Sequence, residues 1–228
     1  MYDIVFISYN EAYAEENWNK LKSRFPTAKR VDGVKGIHQA HIKAAKKCFT
    51  KMFWVVDADA QLVDDFNFDY EVDDYNLETV HVWRSINPIN DLQYGYGGVK
   101  LLPRKLTVNM DTSKPDMTTS ISNKFCAVDK VANITAFNTD PYSTWRSAFR
   151  ECAKLSSKTI QGQVNDETDE RLYIWTTVGR DRKFGEFSIS GAIAGRKYGA
   201  ANRNNEDALK LINDYDWLHE QFSRHTVE

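Results

Sequence analysis

The first 60 residues constrain the fold more tightly than any other part of the chain. Two short apolar runs, residues 3–7 (Asp-Ile-Val-Phe-Ile) and 52–56 (Met-Phe-Trp-Val-Val), bracket two segments of helical periodicity. In the first segment, about 11–24, Ala14, Trp18, Leu21 and Phe25 recur at helical spacing, and Pro26 stops the run. Lys29-Arg30-Val31 follows as a brief strand, and Gly33 and Gly36 punctuate the next turn. The second segment, about 37–51, carries an inner stripe of Ile37, Ala40, His41, Ala44, Ala45, Cys48 and Phe49. The order is β-α-β-α-β with short connections. Strands this apolar are buried on both faces, which calls for a parallel sheet covered by helices. Ligands of such sheets collect at the carboxyl ends of the strands. Ser8, Tyr9, Asn10, Asp32, Asp57 and Asp59 all fall at those ends.

Beyond residue 60 the pattern is less regular. Residues 79–83 alternate like a strand, and Tyr94-Gly95-Tyr96-Gly97-Gly98 reads as a flexible turn leading into another strand up to Arg104. Helices are expected at about 142–157, 168–178 and 205–222, and the Gly-, Ala-, Arg- and Lys-rich stretch 184–203 reads as a loop. No repeat or low-complexity linker interrupts the chain, so 228 residues suit a single domain with an elaborated second half.

Charge is unevenly spread. Residues 57–78 hold nine Asp and Glu and no Lys or Arg, so removing them from the net charge of −2 leaves +7. The acidic stretch reads as a solvated loop. Arg171, Arg180, Arg182, Lys183, Arg196, Lys197 and Arg203 make the second half basic, as a solvated surface or as a face for a polyanion or phosphorylated ligand. Three distant cysteines, Cys48, Cys126 and Cys152, fit neither a disulfide framework nor a zinc site and suit a reducing cytoplasm. No apolar run reaches membrane-spanning length, and the first residues lack the charged flank and apolar core of a signal peptide.

Asp57-Ala58-Asp59, directly after the apolar strand, holds the sharpest chemistry. Two neighbouring carboxylates raise each other's pKa unless something offsets them. A shared proton, a nearby Arg or Lys, or a hard divalent cation would each do so. Residues 53–59, Phe-Trp-Val-Val-Asp-Ala-Asp, resemble the Asp-x-Asp motif of GT-A glycosyltransferases, and residues 5–11, Val-Phe-Ile-Ser-Tyr-Asn-Glu, resemble the opening of their family-2-like members. Residues 141–155 are similar to a run found in glycosyltransferases of tailed bacteriophages, some of which place sugar on hydroxymethylated cytosine in DNA. No Gln-x-x-Arg-Trp motif is present, so the resemblance leaves the base and acceptor undetermined.

The resemblance implies a GT-A-like α/β fold: a mixed, mostly parallel sheet flanked by helices, with an irregular acceptor-side second half. Residues 1–60 would form the nucleotide-binding half, and 61–228 the sugar- and acceptor-binding half with the C-terminal helices. The donor would be a nucleoside-diphosphate sugar, UDP-linked, with Mn²⁺ or Mg²⁺ held by Asp57 and Asp59. Ser8, Tyr9 and Asn10 would line the nucleoside, and Asp32 would take its base or ribose. Double-stranded DNA with modified bases would be the acceptor, and the host cytoplasm the compartment for a phage-encoded chain.

The inventory adds further candidates. Arg196 and Lys197 would close over the phosphates from a glycine-flanked loop. Glu151 and Asp140 are candidate bases for the attacking hydroxyl, although an ion pair with Lys154 would equally account for Glu151. His81 is a candidate third metal ligand because it alternates with Val80 and Val82. Tyr96, Gly97 and Gly98 would approach the sugar, and Trp83 and Arg84 the acceptor. Two other classes remain open. A nucleotidyl- or phosphotransferase would also use paired acids, but no glycine-rich phosphate loop is present. A non-enzymatic nucleic-acid-binding protein would use the basic second half.

Overall fold

The computed structural model describes residues 1–95, 97–114, 116–159 and 163–226. The strands are β1 (Asp3–Ser8), β2 (Lys29–Asp32), β3 (Met52–Asp57), β4 (Ala60–Leu62), β5 (Val80–Ile86), β6 (Gln93–Tyr94), β7 (Val99–Pro103) and β8 (Phe125–Thr135). The helices are α1 (Ala14–Arg24), α2 (Ile37–Lys46), α3 (Arg104–Val108), α4 (Met117–Ile121), α5 (Pro141–Ser157), α6 (Asn165–Thr177), α7 (Gly185–Ala201), α8 (Glu206–Lys210) and α9 (Tyr215–Thr226).

Among the described residues the strands form one sheet in the order β2-β1-β3-β7-β5-β8-β4, with β6 beside β5. The fold is α/β with a mixed sheet flanked by helices. β2, β1 and β3 are parallel, as are β5 and β8, whereas β7 runs antiparallel to β3 and to β5. Because β2 lies on one side of β1 and β3 on the other, a topological switch point opens between β1 and β3. β4 starts three residues after Asp57, yet it pairs with β8 at the far end of the strand order. Three residues span only about 10 Å. The sheet must therefore curl until its last strand returns to the end of β3.

The chain divides into two compact units. The first comprises residues 1–87, 93–112 and 120–136, and the second 88–92, 113–119 and 137–228. In the first, Ile4, Phe6, Trp54 and Val56 pack toward Ala14, Trp18 and Leu21 of α1. On the other face, α2 buries Ala40, His41, Ala44 and Ala45.

The acidic stretch is no free loop. From Phe66 to Val72 aromatic or apolar residues alternate with polar ones: Phe66 and Phe68 are buried, while Asn67, Asp69 and Glu71 are exposed. The inward residues extend the core, with Phe68 5.0 Å and Phe66 6.1 Å from Trp54 between ring centroids. Arg24 secures the segment by donating to the carbonyls of Asp64 (3.0 Å) and Phe66 (2.6 Å). The acids thus face solvent because period-two alternation puts the aromatics inside.

In the second unit, residues 184–203 form helix α7 rather than a loop. Gly191, Gly195 and Gly199 recur every fourth residue and face α5. A Cβ at these positions would lie 2.3 Å from the Trp145 carbonyl oxygen, 2.1 Å from that of Phe149 and 2.2 Å from that of Ala153. These glycines let two helix backbones touch; they do not make the chain flexible. Residues 141–155 of α5 supply the other side of this contact. Trp145, Phe149 and Ala153 are buried there together with Ile212 and Leu218.

Candidate functional site

The carboxyl ends of β1, β2 and β3 are level: Ser8 pairs with Asp32 and Ile7 with Asp57. The turn after Asp57 is pinned from two sides. Asn17 of α1 donates its side-chain N–H to the Ala58 carbonyl (2.8 Å), and the Ala136 N–H donates to the Asp59 carbonyl (2.7 Å). Both contacts depend on the curl of the sheet and on the docking of α1. A cavity of about 610 Å³ lies on the α1 side of this turn, lined by Asn17, Leu21, Val56, Ala60 and Gln61, with neither aspartate in its wall.

Lys100 is the cationic partner that Asp57 requires. Its Nζ lies 2.7 Å from Asp57 Oδ2, and its side chain is 2% exposed against 33% for Asp57. Register explains the reach. Lys100 is opposite Val55, so the two share the α2 face, and Asp57 lies two residues further along that face. The lysine stem covers that distance inside the sheet and brings the ammonium to the strand end. The same ammonium donates to the Gly97 carbonyl, and the Asp57 N–H donates to the Gly98 carbonyl (2.9 Å). Gly97 has φ +79°, and a Cβ on Gly98 would press against buried Asn133 (2.8 Å). The glycine turn is therefore fastened directly beside Asp57. Sequence reasoning passed over Lys100, although one charge inside the apolar strand Val-Lys-Leu-Leu-Pro was the available signal.

Ser8 and Asp32 form a second constellation on the α1 side of the same strand ends. Ser8 Oγ donates to Asp32 Oδ1 (2.5 Å) and accepts from Arg30 Nε (2.9 Å). Arg30 also pairs with Glu15 (2.6 Å) and covers the rings of Phe6 and Trp18. Ser8 is buried, so its role is to orient Asp32, whose carboxylate is exposed. Tyr9 and Asn10 lie exposed just beyond.

The remaining candidates fall elsewhere. His81 pairs in register with Leu101, which is level with Trp54, three residues short of Asp57 and two strands away. Its ring packs on Tyr70, and both neighbours it alternates with are buried, because this strand is covered on both faces. Among the described residues no three His, Cys, Asp or Glu side chains gather to hold a metal. Trp83 is core, 4.4 Å from Trp54 between ring centroids, and so cannot present its face to an acceptor. Arg84 pairs with Asp129 (3.0 Å) at a bulge between β5 and β8. Tyr96 lies outside the described residues.

The other four candidates belong to the second unit. Asp140 caps α5, accepting from the Ser143 N–H (2.8 Å). Burial alone would raise its carboxyl pKa, but the bonds from Ser143 and Thr139 outweigh it and hold the group below the ordinary range, which makes a weak base. Glu151 lies within α5; Lys154 is 3.3 Å from buried Asp116. Arg196 and Lys197 are exposed on α7, inside a regular helix rather than on a mobile loop. Of the other basic residues, Arg171 and Arg182 pair with Glu167 and Asp91, and Arg203 donates to the Ser156 carbonyl.

No family model matches this chain, and no curated protein matches it. Among solved structures, it is similar to the mannosyltransferase PcManGT from Pyrobaculum calidifontis in complex with GDP-Man and Mn²⁺. The likeness is 13% identity with a TM-score of 0.42, covering 99% of this chain and 86% of that one. No helix among the described residues is long and apolar enough to cross a membrane.

His41 gives the site's surroundings a pH signature. The buried ring donates its Nδ1–H to the Ile37 carbonyl (2.7 Å), and its pKa is lowered from 6.5 to about 3, first by burial and then by the Lys100 ammonium. Between those values the unfolded chain binds a proton that the folded chain refuses, so stability falls as pH drops through this window. His41→Leu should flatten that fall. Urea unfolding at about pH 7 and about pH 4.5 measures it; an equally steep loss in the variant would assign the acid sensitivity to other groups.

Proposed function

We propose that this chain is a glycosyltransferase that takes its sugar from a nucleoside diphosphate and works with a divalent cation, Mn²⁺ or Mg²⁺, at Asp57 and Asp59. One observation carries the reading: the aspartate turn, the oriented Asp32 and the glycine turn converge on the carboxyl ends of three parallel strands at a switch point. The resemblance of residues 53–59 to the Asp-x-Asp motif points the same way.

The donor set fits such an ion. Asp57 and Asp59 offer hard carboxylate oxygens, and Asp57 gives Lys100 only one of its two. Mg²⁺-like ions are held by one or two carboxylates and complete their shell with water and substrate phosphate. When bound, the ion would supply Lewis-acid stabilisation of the departing diphosphate. The chain's own groups do the rest. Asp32, fixed by Ser8 and Arg30, accepts hydrogen bonds from the ribose or base. Gly97, with open space where a Cβ would stand, lets the sugar approach the backbone, whereas Gly98 packs against Asn133. Glu151 is retained as candidate base, whereas Asp140 serves α5 as its cap. A UDP-linked donor and hydroxymethylated cytosine in DNA as acceptor rest on the family resemblance alone.

The test is thermal stability against a panel of nucleoside diphosphates and their sugars, each with Mn²⁺ and with EDTA. A ligand at 100 times its Kd adds about 2.7 kcal/mol. A shift for one nucleotide that EDTA abolishes supports the reading, and no shift for any of them overturns it.

A further inference from the structure

We infer that Arg146 and Arg150 of α5, with Tyr142 and Tyr215, form a binding site for a phosphate monoester group. The site lies wholly within the second unit and does not depend on the donor-site reading of Asp57 and Asp59.

Spacing and packing carry the first part of the argument. Tyr142, Arg146 and Arg150 recur every fourth residue and share one face of α5. Tyr215, at the start of α9, stands over both arginines. Its ring centroid is 4.7 Å from the guanidinium carbon of Arg146 and 5.9 Å from that of Arg150. Arg146 also lies 5.4 Å from the centroid of the Tyr142 ring. That ring is itself fixed: its hydroxyl donates to the Tyr215 carbonyl (3.0 Å), and it packs on His219 (4.9 Å) and Phe222 (5.5 Å). The Arg146 fork is therefore in place before a ligand arrives, which lowers the ordering cost of binding.

Charge carries the second part. Among the described residues neither guanidinium forms an ion pair. Arg150 donates to the Ile212 carbonyl (2.8 Å) and to Asn213 Oδ1 (2.9 Å), both neutral groups. The rings around Arg146 bring no charge either, because burial pushes the Tyr142 phenol up and keeps it protonated at neutral pH. Asp140 acts on Arg146 electrostatically, but its two oxygens accept from the Ser143 N–H and from Thr139. Asp214 spends Oδ1 on the N–H groups of Asp216 and Trp217. Arg146 Nε is buried and has no hydrogen-bond partner among the described residues, while the residue as a whole stays partly exposed. A buried donor left unpaired is costly, and an anion at the surface end of the fork offsets that cost. The planar fork matches phosphate bidentately. Two neighbouring guanidiniums favour a dianion: a phosphate monoester carries about −1.5 to −2 at pH 7, whereas a carboxylate or a phosphodiester brings a single charge.

NMR titration of the backbone amides of α5 and α9 tests this, in EDTA and at constant ionic strength. Without divalent ions, binding here reads separately from the donor site. The probes are inorganic phosphate, methyl phosphate, dimethyl phosphate and acetate, on wild type, Arg146→Gln and the exposed control Lys210→Gln. Inorganic phosphate and methyl phosphate should both bind, and the tighter of the two tells whether the free ion or an ester is the source. Dimethyl phosphate and acetate should bind about tenfold more weakly, and Arg146→Gln should lose about tenfold or more for the dianions. Lys210→Gln, with the same loss of charge elsewhere, should match wild type. Equal affinity for acetate and methyl phosphate overturns the inference, and this comparison uses wild type alone, so it decides the matter even if Arg146→Gln does not fold. A folded Arg146→Gln with wild-type affinity overturns it too, as does a wild type that binds no phosphate; none of these results touches the donor-site reading.

Discussion

Asp59→Ala is expected to abolish the Mn²⁺-dependent stabilisation by a nucleoside-diphosphate sugar and to lower the rate of sugar transfer about a thousandfold or more, a loss of several kcal/mol of transition-state stabilisation. The turn itself should survive. It is held through the backbone, by Asn17 on the Ala58 carbonyl and by the Ala136 N–H on the Asp59 carbonyl, and alanine keeps both bonds. Asp57 also keeps Lys100. The expected variant is therefore folded, with an unliganded melting temperature close to wild type, and blind to the nucleotide panel. Retention of the full EDTA-sensitive shift by Asp59→Ala would show that the ion binds elsewhere.

Gly195→Ala should have the largest effect on stability. In most helices this change stabilises, by up to about 1 kcal/mol. Here the new Cβ would lie 2.1 Å from the Phe149 carbonyl oxygen, 2.7 Å from its Cα and 2.8 Å from its carbonyl carbon. These are backbone atoms of a packed helix and no side chain can move to make room, so α5 and α7 must separate. Overpacking of this kind costs about 1–3 kcal/mol and occasionally more. Three glycines share the seam, so separation at one reopens the contacts at the others. A net destabilisation of about 2 kcal/mol corresponds to a fall of roughly 4–8 °C in Tm for a chain of this size. Differential scanning calorimetry measures it, and a Tm at or above that of wild type would refute the close-contact account of α7.

How much of this was legible in the sequence depended on whether the signal was local. β1, α1, β2, α2 and β3 could be read because helix stripes and apolar strands repeat within a few residues, and parallel strands joined by helices have few ways to pair. β8 was missed because Asp129 and Lys130 interrupt its alternation and it pairs with β5 through a bulge. The alternation of Phe66, Phe68, Tyr70 and Val72 was equally local, but nine acids in the surrounding stretch masked it. The glycines of α7 were visible at four-residue spacing, but read without a partner helix they suggest a loop as readily as a seam.

The sequence by itself determined the α/β class, the parallel first half and the position of Asp57 and Asp59 at a strand end, because each follows from periodicity within one segment. Only the tertiary structure decided what stands beside those aspartates. Lys100 is 43 residues from Asp57 and reaches it because β7 pairs antiparallel to β3 with Lys100 opposite Val55. Trp83 and His81 lie inside because the sheet is covered on both faces at β5. Strand pairing and curl are set by the packing of segments far apart in the chain. No single segment carries them, so the charge that offsets Asp57 could be inferred as necessary but not assigned to a residue.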